Sequence, residues 1–296
     1  MTTVPMNIAF LGAGLMATPM IERLLAAGHA VAVWNRTRAK LDPLLARGAT
    51  ALDAPVQAAA ADLVLMCLMD AAAVRSTVFG EHGLAAAGRA GIRARCLVDH
   101  SSIRPDATRD LAQTLQARCG LEWVDAPVSG GIAGAAAGTL AIMCGGAQAA
   151  FDAARPVLAA YAANITHMGP VGAGQTTKLI NQVLVGSAIA TIAEAVSLAQ
   201  AAGIDAGALP RALAGGWADS RPLQVFVPRM VDGYDTPIGA INTMLKDLDT
   251  ALDLARESNA PLPMAAHAQQ LLRLMVARGL GEDDPAALLR LYRPDA

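Results

Sequence analysis

Aromatic side chains are scarce in this sequence: three Trp, three Tyr and four Phe make up 3% of its 296 residues. So few rings leave little on which unpaired bases could stack. The 23 basic residues, set against 25 acidic ones, are scattered rather than gathered into a tail. Neither stacking nor a basic stripe is available, so no nucleic-acid partner is expected. Cysteine is also sparse. Cys67, Cys96, Cys119 and Cys144 lack CxxC spacing and read as buried thiols of a reducing compartment. The five histidines are dispersed, with neither HExxH nor a His/Cys cluster, so no catalytic metal is expected. The longest apolar run, residues 179–193, contains Asn181, Gln182 and Ser187 and stops at Glu194. That suits a buried helix better than a membrane span, and no membrane partner is expected. The N-terminus lacks a basic stretch ahead of an apolar one, so no secretory signal is read and a cytoplasmic location is expected.

What the chain does have is apolar residues, 54% of the total, and enough length for two cores. Residues 8–11, 30–34, 63–68, 96–99 and 123–126 are short apolar runs bounded by Gly, Asp or Asn, and they read as strands buried on both faces. Ala- and Leu-rich stretches such as 17–27 and 105–116 read as intervening helices. Strands separated by helices imply a parallel sheet with right-handed crossovers. Residues 140–144 and 164–168 read as late strands of the same domain. Past Gly174 the pattern turns helical, with a long helix over 178–202, shorter ones near 208–214, 261–278 and 285–291, and a loop at Gly215 and Gly216. The expected architecture is α/β: a doubly wound domain over residues 1–170, then an all-helical domain over 171–296.

The first strand runs directly into Gly12, Ala13, Gly14, Leu15, Met16 and Ala17, a GxGxxA turn opening a helix. Gly12 permits the tight turn, Gly14 lets backbone approach a pyrophosphate, and Ala17 allows close helix packing. A dinucleotide is the expected cofactor. An NAD site usually places an acid after the second strand, for the ribose hydroxyl. Here that position carries Asn35, Arg36 and Thr37, followed by Arg38, with no acid in the turn. Arg36 can meet a 2′-phosphate as a bidentate donor, Thr37 can add a hydroxyl and Arg38 further positive charge, so NADP (NADPH) is expected. A second glycine-rich run, residues 169–178, fails GxxxxGK[ST], because its lysine comes three residues too late for an ATP-binding loop.

Two polar stretches stand out in so apolar a chain. One runs from Asp125 through Ser129, Gly130 and Gly131, immediately after a strand, where exposed backbone N–H groups can receive a carboxylate. The other opens the long helix. Lys178, Asn181 and Gln182 stand three and four residues apart and can face one cleft, with the lysine a candidate proton donor and acceptor.

With Gly12 to Met16, Asp125 to Gly131, Lys178 to Gln182, and Lys246 followed by Asp247, the sequence resembles the β-hydroxyacid dehydrogenases over nearly its whole length. That family includes 3-hydroxyisobutyrate dehydrogenase, tartronate semialdehyde reductase and, more distantly, 6-phosphogluconate dehydrogenase. The resemblance implies a Rossmann-type domain, an interdomain cleft, a helical C-terminal domain and a homodimer or homotetramer assembled through it. It implies Lys178 as general acid/base. Ser129, Gly130 and Gly131 would be the loop holding a small carboxylate-bearing substrate, with Asn181 and Gln182 as the orienting amides. Ser102 and Lys246 would lie near the nicotinamide; His100 reads either as a supporting group behind them or as a loop histidine satisfied by its own hydrogen bonds. Gln182 departs from the double asparagine of the hydroxyisobutyrate enzymes, and Ala17 replaces a common glycine. The expected reaction interconverts a small 2- or 3-hydroxy acid with its oxo-acid or semialdehyde. Imine reductases share the architecture but generally lack a lysine at the position of Lys178. An imine-reducing NADPH enzyme and a noncatalytic dinucleotide-binding protein are the alternatives.

Overall fold

The computed structural model describes residues 4–292, so the outermost residues of both expected domains, 1–3 and 293–296, lie outside it. Contacts divide the chain into two units, Met1–Lys178 and Leu179–Ala296.

The strands of the first unit are β1 Asn7–Leu11, β2 Ala30–Trp34, β3 Thr50–Ala51, β4 Leu63–Met66, β5 Cys96–Asp99, β6 Glu122–Asp125, β7 Val128–Ser129, β8 Leu140–Gly145 and β9 Ala162–Gly169. Its helices are α1 Ala17–Ala26, α2 Asp42–Leu45, α3 Ala71–Phe79, α4 Gly88–Gly91, α5 Pro105–Cys119, α6 Gly131–Ala137 and α7 Gln148–Leu158. Successive strand residues point to opposite faces. Ile8, Phe10, Leu63 and Leu65 therefore join one apolar cluster, and Ala9, Leu11, Val64 and Met66 another. Both faces need cover, which is why these strands read as unbroken apolar runs with helices between them.

The sheet order is β3-β2-β1-β4-β5-β6-β8-β7, with β9 beside β8. The pairs from β3 to β6 are all parallel, giving the Rossmann-type order 3-2-1-4-5-6 with its reversal between β1 and β4. The sheet is not parallel throughout. β8 runs antiparallel to β6 and to β7, because β7 and β8 form a hairpin whose turn is α6. A chain that folds straight back on itself leaves its strands opposed. Strands β3 and β7, of two residues each, are too short to show a periodicity in the sequence.

Helix ends follow their chemistry. α5 starts with Pro105, carries Asp106 in its first turn and stops at Gly120, whose φ of 69° is left-handed. Asp70 caps α3 by accepting the Ala73 amide at 2.8 Å.

α8 Ala173–Ala201 leads from the first unit into the second, which continues with α9 Leu209–Leu213, α10 Arg221–Val231, α11 Ile241–Glu257 and α12 Pro263–Ala277. The last element, Pro285–Tyr292, is a 3-10 helix. The second unit has its own core, including Ile189, Val196, Phe226, Val227, Leu248 and Leu272. Two expectations for α8 need correction. It begins five residues before Lys178, because a buried carboxylate from β6 receives the amides of its first turn. Nor is it a buried helix: Ile180 and Leu184 are 55% and 67% exposed. By length and composition alone it could cross a membrane, with 39% of its most apolar stretch buried.

Candidate active site

The expected site residues of the first unit gather where strands end at their C-terminal edge, where open α/β sheets bind ligands. The glycine turn follows β1. Its shape is fixed by hydrogen bonds to the end of β2: the Gly12 amide donates to the Trp34 carbonyl at 2.7 Å, and the Ala13 amide to Asn35 Oδ1 at 3.0 Å. Asn35 in turn donates through Nδ2 to the Thr37 carbonyl at 2.8 Å. Gly12 has φ +107°, and a Cβ there would stand 2.4 Å from the Cys67 carbonyl oxygen. Around Gly14 nothing lies within 4 Å of where a Cβ would be. No side chain caps α1 at Met16 and no acid lies in its first turn, so its leading amides are not spent on an internal carboxylate. Leu15 is exposed.

Beyond the turn, Arg36 and Thr37 are exposed. Arg36 has no ion pair among the described residues. The further charge expected from Arg38 is offset, since its Nη1 pairs with Asp53 at 2.9 Å.

After β5 comes Ser101, Ser102 and Ile103. Ser102 is half-buried. Ser101 and Ile103 on either side are held by one buried side chain, Gln175. Its Nε2 donates to the Ser101 carbonyl at 2.6 Å, and its Oε1 accepts the Ile103 amide at 3.3 Å. Ser101 Oγ accepts the Leu68 amide at 2.9 Å. Asp99 Oδ1 accepts the Ser101 amide at 2.9 Å, while buried Oδ2 has no hydrogen-bond partner among the described residues. Burial pushes the Asp99 carboxyl up to about 7, with the nearby Asp125 charge adding to the rise against the Ser101 hydrogen bonds.

Asp125 ends β6 and opens the run to Ser129, Gly130 and Gly131. Its Oδ1 accepts the Gly172 amide at 2.7 Å and its Oδ2 the Gln175 amide at 2.8 Å. Burial lifts this carboxyl to about 6, against the pull of those amides. The same residue thus starts the glycine-rich loop and holds the first turn of the helix that carries Lys178. Packing at that junction is close. A Cβ on Gly174 would come within 2.4 Å of the Met143 carbonyl oxygen and 2.6 Å of that of Asp125. Ser129 belongs to β7, Gly130 and Gly131 are exposed with φ of 128° and 66°, and Lys178 is half-buried.

His100 serves the core. Its Nδ1 lies 2.6 Å from the Ala126 carbonyl, which can only accept, so that nitrogen carries the proton. Nε2 then accepts from the Tyr161 hydroxyl at 2.9 Å. Burial drives its pKa down to about 4 and keeps the ring neutral. The cysteines are free; Cys67 is half-buried and the other three are buried. Burial raises the Cys67, Cys96 and Cys144 thiols to about 12.

The second unit holds the remaining candidates. Asn181 Nδ2 donates to Gln182 Oε1 at 2.9 Å, and Gln182 Nε2 donates to Asp247 Oδ2 at 2.8 Å. Lys246 Nζ stands 3.4 Å from Asp247 Oδ1, half its side chain exposed. Elsewhere in this unit Ser220 caps α10 and Asp219 accepts the Gly215 amide at 2.8 Å. Asp125, Gln175 and Asp247 are the residues whose parts the sequence reading missed. Asp125 ends an apolar strand and Gln175 opens an apolar helix, and that was the available signal for both; Asp247 lies within α11, signalled only by standing next to Lys246.

Residues 7–169 match the NAD binding domain of 6-phosphogluconate dehydrogenase. Residues 172–292 match the NAD-binding domain of NADP-dependent 3-hydroxyisobutyrate dehydrogenase. The chain is 36% identical to 2-hydroxy-3-oxopropionate reductase of Escherichia coli (strain K12), over 96% of both proteins. It is 34% identical to 2-(hydroxymethyl)glutarate dehydrogenase of Eubacterium barkeri, over 97% of this chain and 94% of the relative. The structure of Mycobacterium tuberculosis 3-hydroxyisobutyrate dehydrogenase with L-serine matches with a TM-score of 0.85 at 30% identity, covering 98% of this chain and 100% of that one. The chain belongs to the β-hydroxyacid dehydrogenase family. It is an oxidoreductase whose first domain is of the kind that binds a nicotinamide dinucleotide, and the open side of Gly14 and the uncapped start of α1 fit a pyrophosphate there.

Proposed function

We propose that this protein is an NADP-linked dehydrogenase that interconverts a small 2- or 3-hydroxy acid with its oxo-acid or semialdehyde, with Lys178 as acid/base. The observation that carries the reading is the double use of Asp125. It opens the loop ending in Ser129, Gly130 and Gly131, and its carboxylate accepts the Gly172 and Gln175 amides just ahead of Lys178. A carboxylate-binding loop and a proton donor are thereby tied to one buried group.

The cofactor, when bound, supplies hydride exchange with the carbon bearing the oxygen. Lys178 gives a proton to the carbonyl oxygen in reduction and takes it back in oxidation. Ser129 and the N–H groups of Gly130 and Gly131 receive the substrate carboxylate. Asn181 and Gln182 orient the substrate, and the Asp247 carboxylate, which can only accept, turns the Gln182 nitrogen toward itself. Ser102 and Lys246 serve the nicotinamide side. Arg36, exposed and without an ion pair among the described residues, favours a 2′-phosphate and hence NADP. The exposed Ile180 and Leu184 of α8 support self-association through the helical domain as a dimer or tetramer.

Steady-state assays across short oxo- and hydroxy-acids, with NADP(H) and NAD(H) in parallel, test this reading. Turnover of one acid that drops about 100-fold or more in Lys178→Ala, with cofactor binding kept, is the expected result. Cofactor binding without turnover of any acid would overturn it.

A further inference from the structure

Gln175 makes a set of contacts that no part of the proposed chemistry uses directly. It is 1% exposed in the first turn of α8. Its side chain donates to the Ser101 carbonyl and accepts the Ile103 amide, so it grips the backbone immediately before and after Ser102. Its own amide is held by Asp125. The orientation of the side chain is determined, because a backbone carbonyl only accepts and a backbone N–H only donates. Lys178 lies three residues further along the same helix, a rise of about 4.5 Å.

Resting on the functional reading above, we infer that Gln175 is a positioning residue for the reaction. It locks the start of α8, and with it Lys178, to the Ser102 segment, so that the proton donor is held in register with the nicotinamide side of the site. A misplacement of about 1 Å in such a register is enough to cost a hundredfold in rate.

Two variants separate this role from simple stability. Gln175→Met fills the space and makes neither hydrogen bond. Gln175→Glu keeps the shape and restores both bonds only while its carboxyl is protonated: its O–H then donates to Ser101 and its C=O accepts from Ile103. The charged groups around it are Asp99 at the end of β5, Asp125 at the end of β6, Arg109 of α5, whose guanidinium flanks Gly172, and Lys178 on its own helix. The two carboxylates oppose ionisation of the glutamate.

The experiment is kcat and KM from pH 5.5 to 9 at 25 °C, for wild type and both variants, on the acid that wild type turns over. NADPH affinity is measured alongside. The expected result is a kcat roughly 100-fold down at every pH in Gln175→Met, with NADPH affinity within about threefold of wild type. Relative to wild type, Gln175→Glu should be near parity in acid and lose kcat as its carboxyl ionises. Should Gln175→Met not fold, the pH course of Gln175→Glu decides alone. A kcat ratio independent of pH in Gln175→Glu, or a kcat within twofold of wild type in Gln175→Met, overturns the inference and leaves the functional reading standing. A wild type that turns over no acid overturns both.

Discussion

The Asp125 carboxylate accepts the Gly172 amide at 2.7 Å, across 47 residues of sequence, and so fastens the end of a central strand to the start of the longest helix. Its other oxygen takes the Gln175 amide at 2.8 Å. Asp125→Ala would orphan two buried N–H groups, each costing about 1–3 kcal/mol. It would also relieve the cost of a buried carboxyl, which burial holds up at about 6. The orphaned amides are the larger effect, and a net loss of about 2 kcal/mol is expected in urea unfolding at pH 7. A change below about 0.5 kcal/mol would show that the helix start does not depend on this carboxylate.

Asp99 should make stability fall with rising pH. Its carboxyl titrates near 7 in the folded chain, against about 3.9 when unfolded. Between those values the folded state keeps a proton that the unfolded state has released, so stability declines as pH rises. His100 acts in the opposite sense. It titrates near 4 when folded and about 6.5 when unfolded, so across that window stability rises with pH. Asp99→Asn removes only the first effect. Its stability relative to wild type should therefore increase from pH 4.5 to pH 8 by on the order of 3 kcal/mol, at about 1.4 kcal/mol per pH unit separating the two titrations. A difference that stays flat with pH in urea titrations would count against a buried, ionising Asp99.

The first domain was legible because its signals are local. The runs at β1, β2 and β5 are short, apolar and bounded by turn residues, and the glycine turn directly follows the first of them. The antiparallel β8 was not legible, since periodicity gives a strand's faces but not its direction. The start of α8 was misplaced for a different reason. Glycines at 172 and 174 argue for a loop, and the group that overrides them is a carboxylate 47 residues earlier in the chain. Gln175 looked like a spoiled phosphate loop, and its partners at Ser101 and Ile103 are more than 70 residues away. Lys178, Ser129 and Gly12 were singled out as candidates by motif; what holds them in place depends on long-range pairing, which a motif does not carry.

Gly12→Ala should abolish dinucleotide binding and weaken the fold. The position has φ +107°, and the added Cβ would meet the Cys67 carbonyl oxygen at 2.4 Å, a backbone atom that cannot swing aside. Strain of this kind costs roughly 1–3 kcal/mol, and relieving it displaces the turn. Thermal unfolding with and without NADPH measures both effects. A bound ligand raises the midpoint by an amount that grows with the logarithm of its affinity, so the expected variant melts several degrees lower and gains nothing from saturating NADPH. If it kept the full ligand-induced increase, the glycine turn would not be the pyrophosphate site.

Arg36→Ala should separate the two cofactors. Arg36 is exposed at the end of β2, while the neighbouring Arg38 is engaged with Asp53 at 2.9 Å. A guanidinium meeting a 2′-phosphate makes charge-assisted hydrogen bonds worth about 1.5–3 kcal/mol, or ten- to a hundredfold in affinity. NADPH dissociation constants measured by fluorescence titration should rise by that factor in Arg36→Ala, and those for NADH should stay within twofold. Arg38→Ala serves as the comparison and should change either cofactor less, since that side chain is already committed. Raising the salt should shrink the NADPH advantage of wild type and leave the variant nearly unmoved. Equal losses for NADPH and NADH would assign Arg36 to a part of the dinucleotide that both share, and the preference for NADP would then have no basis in this turn.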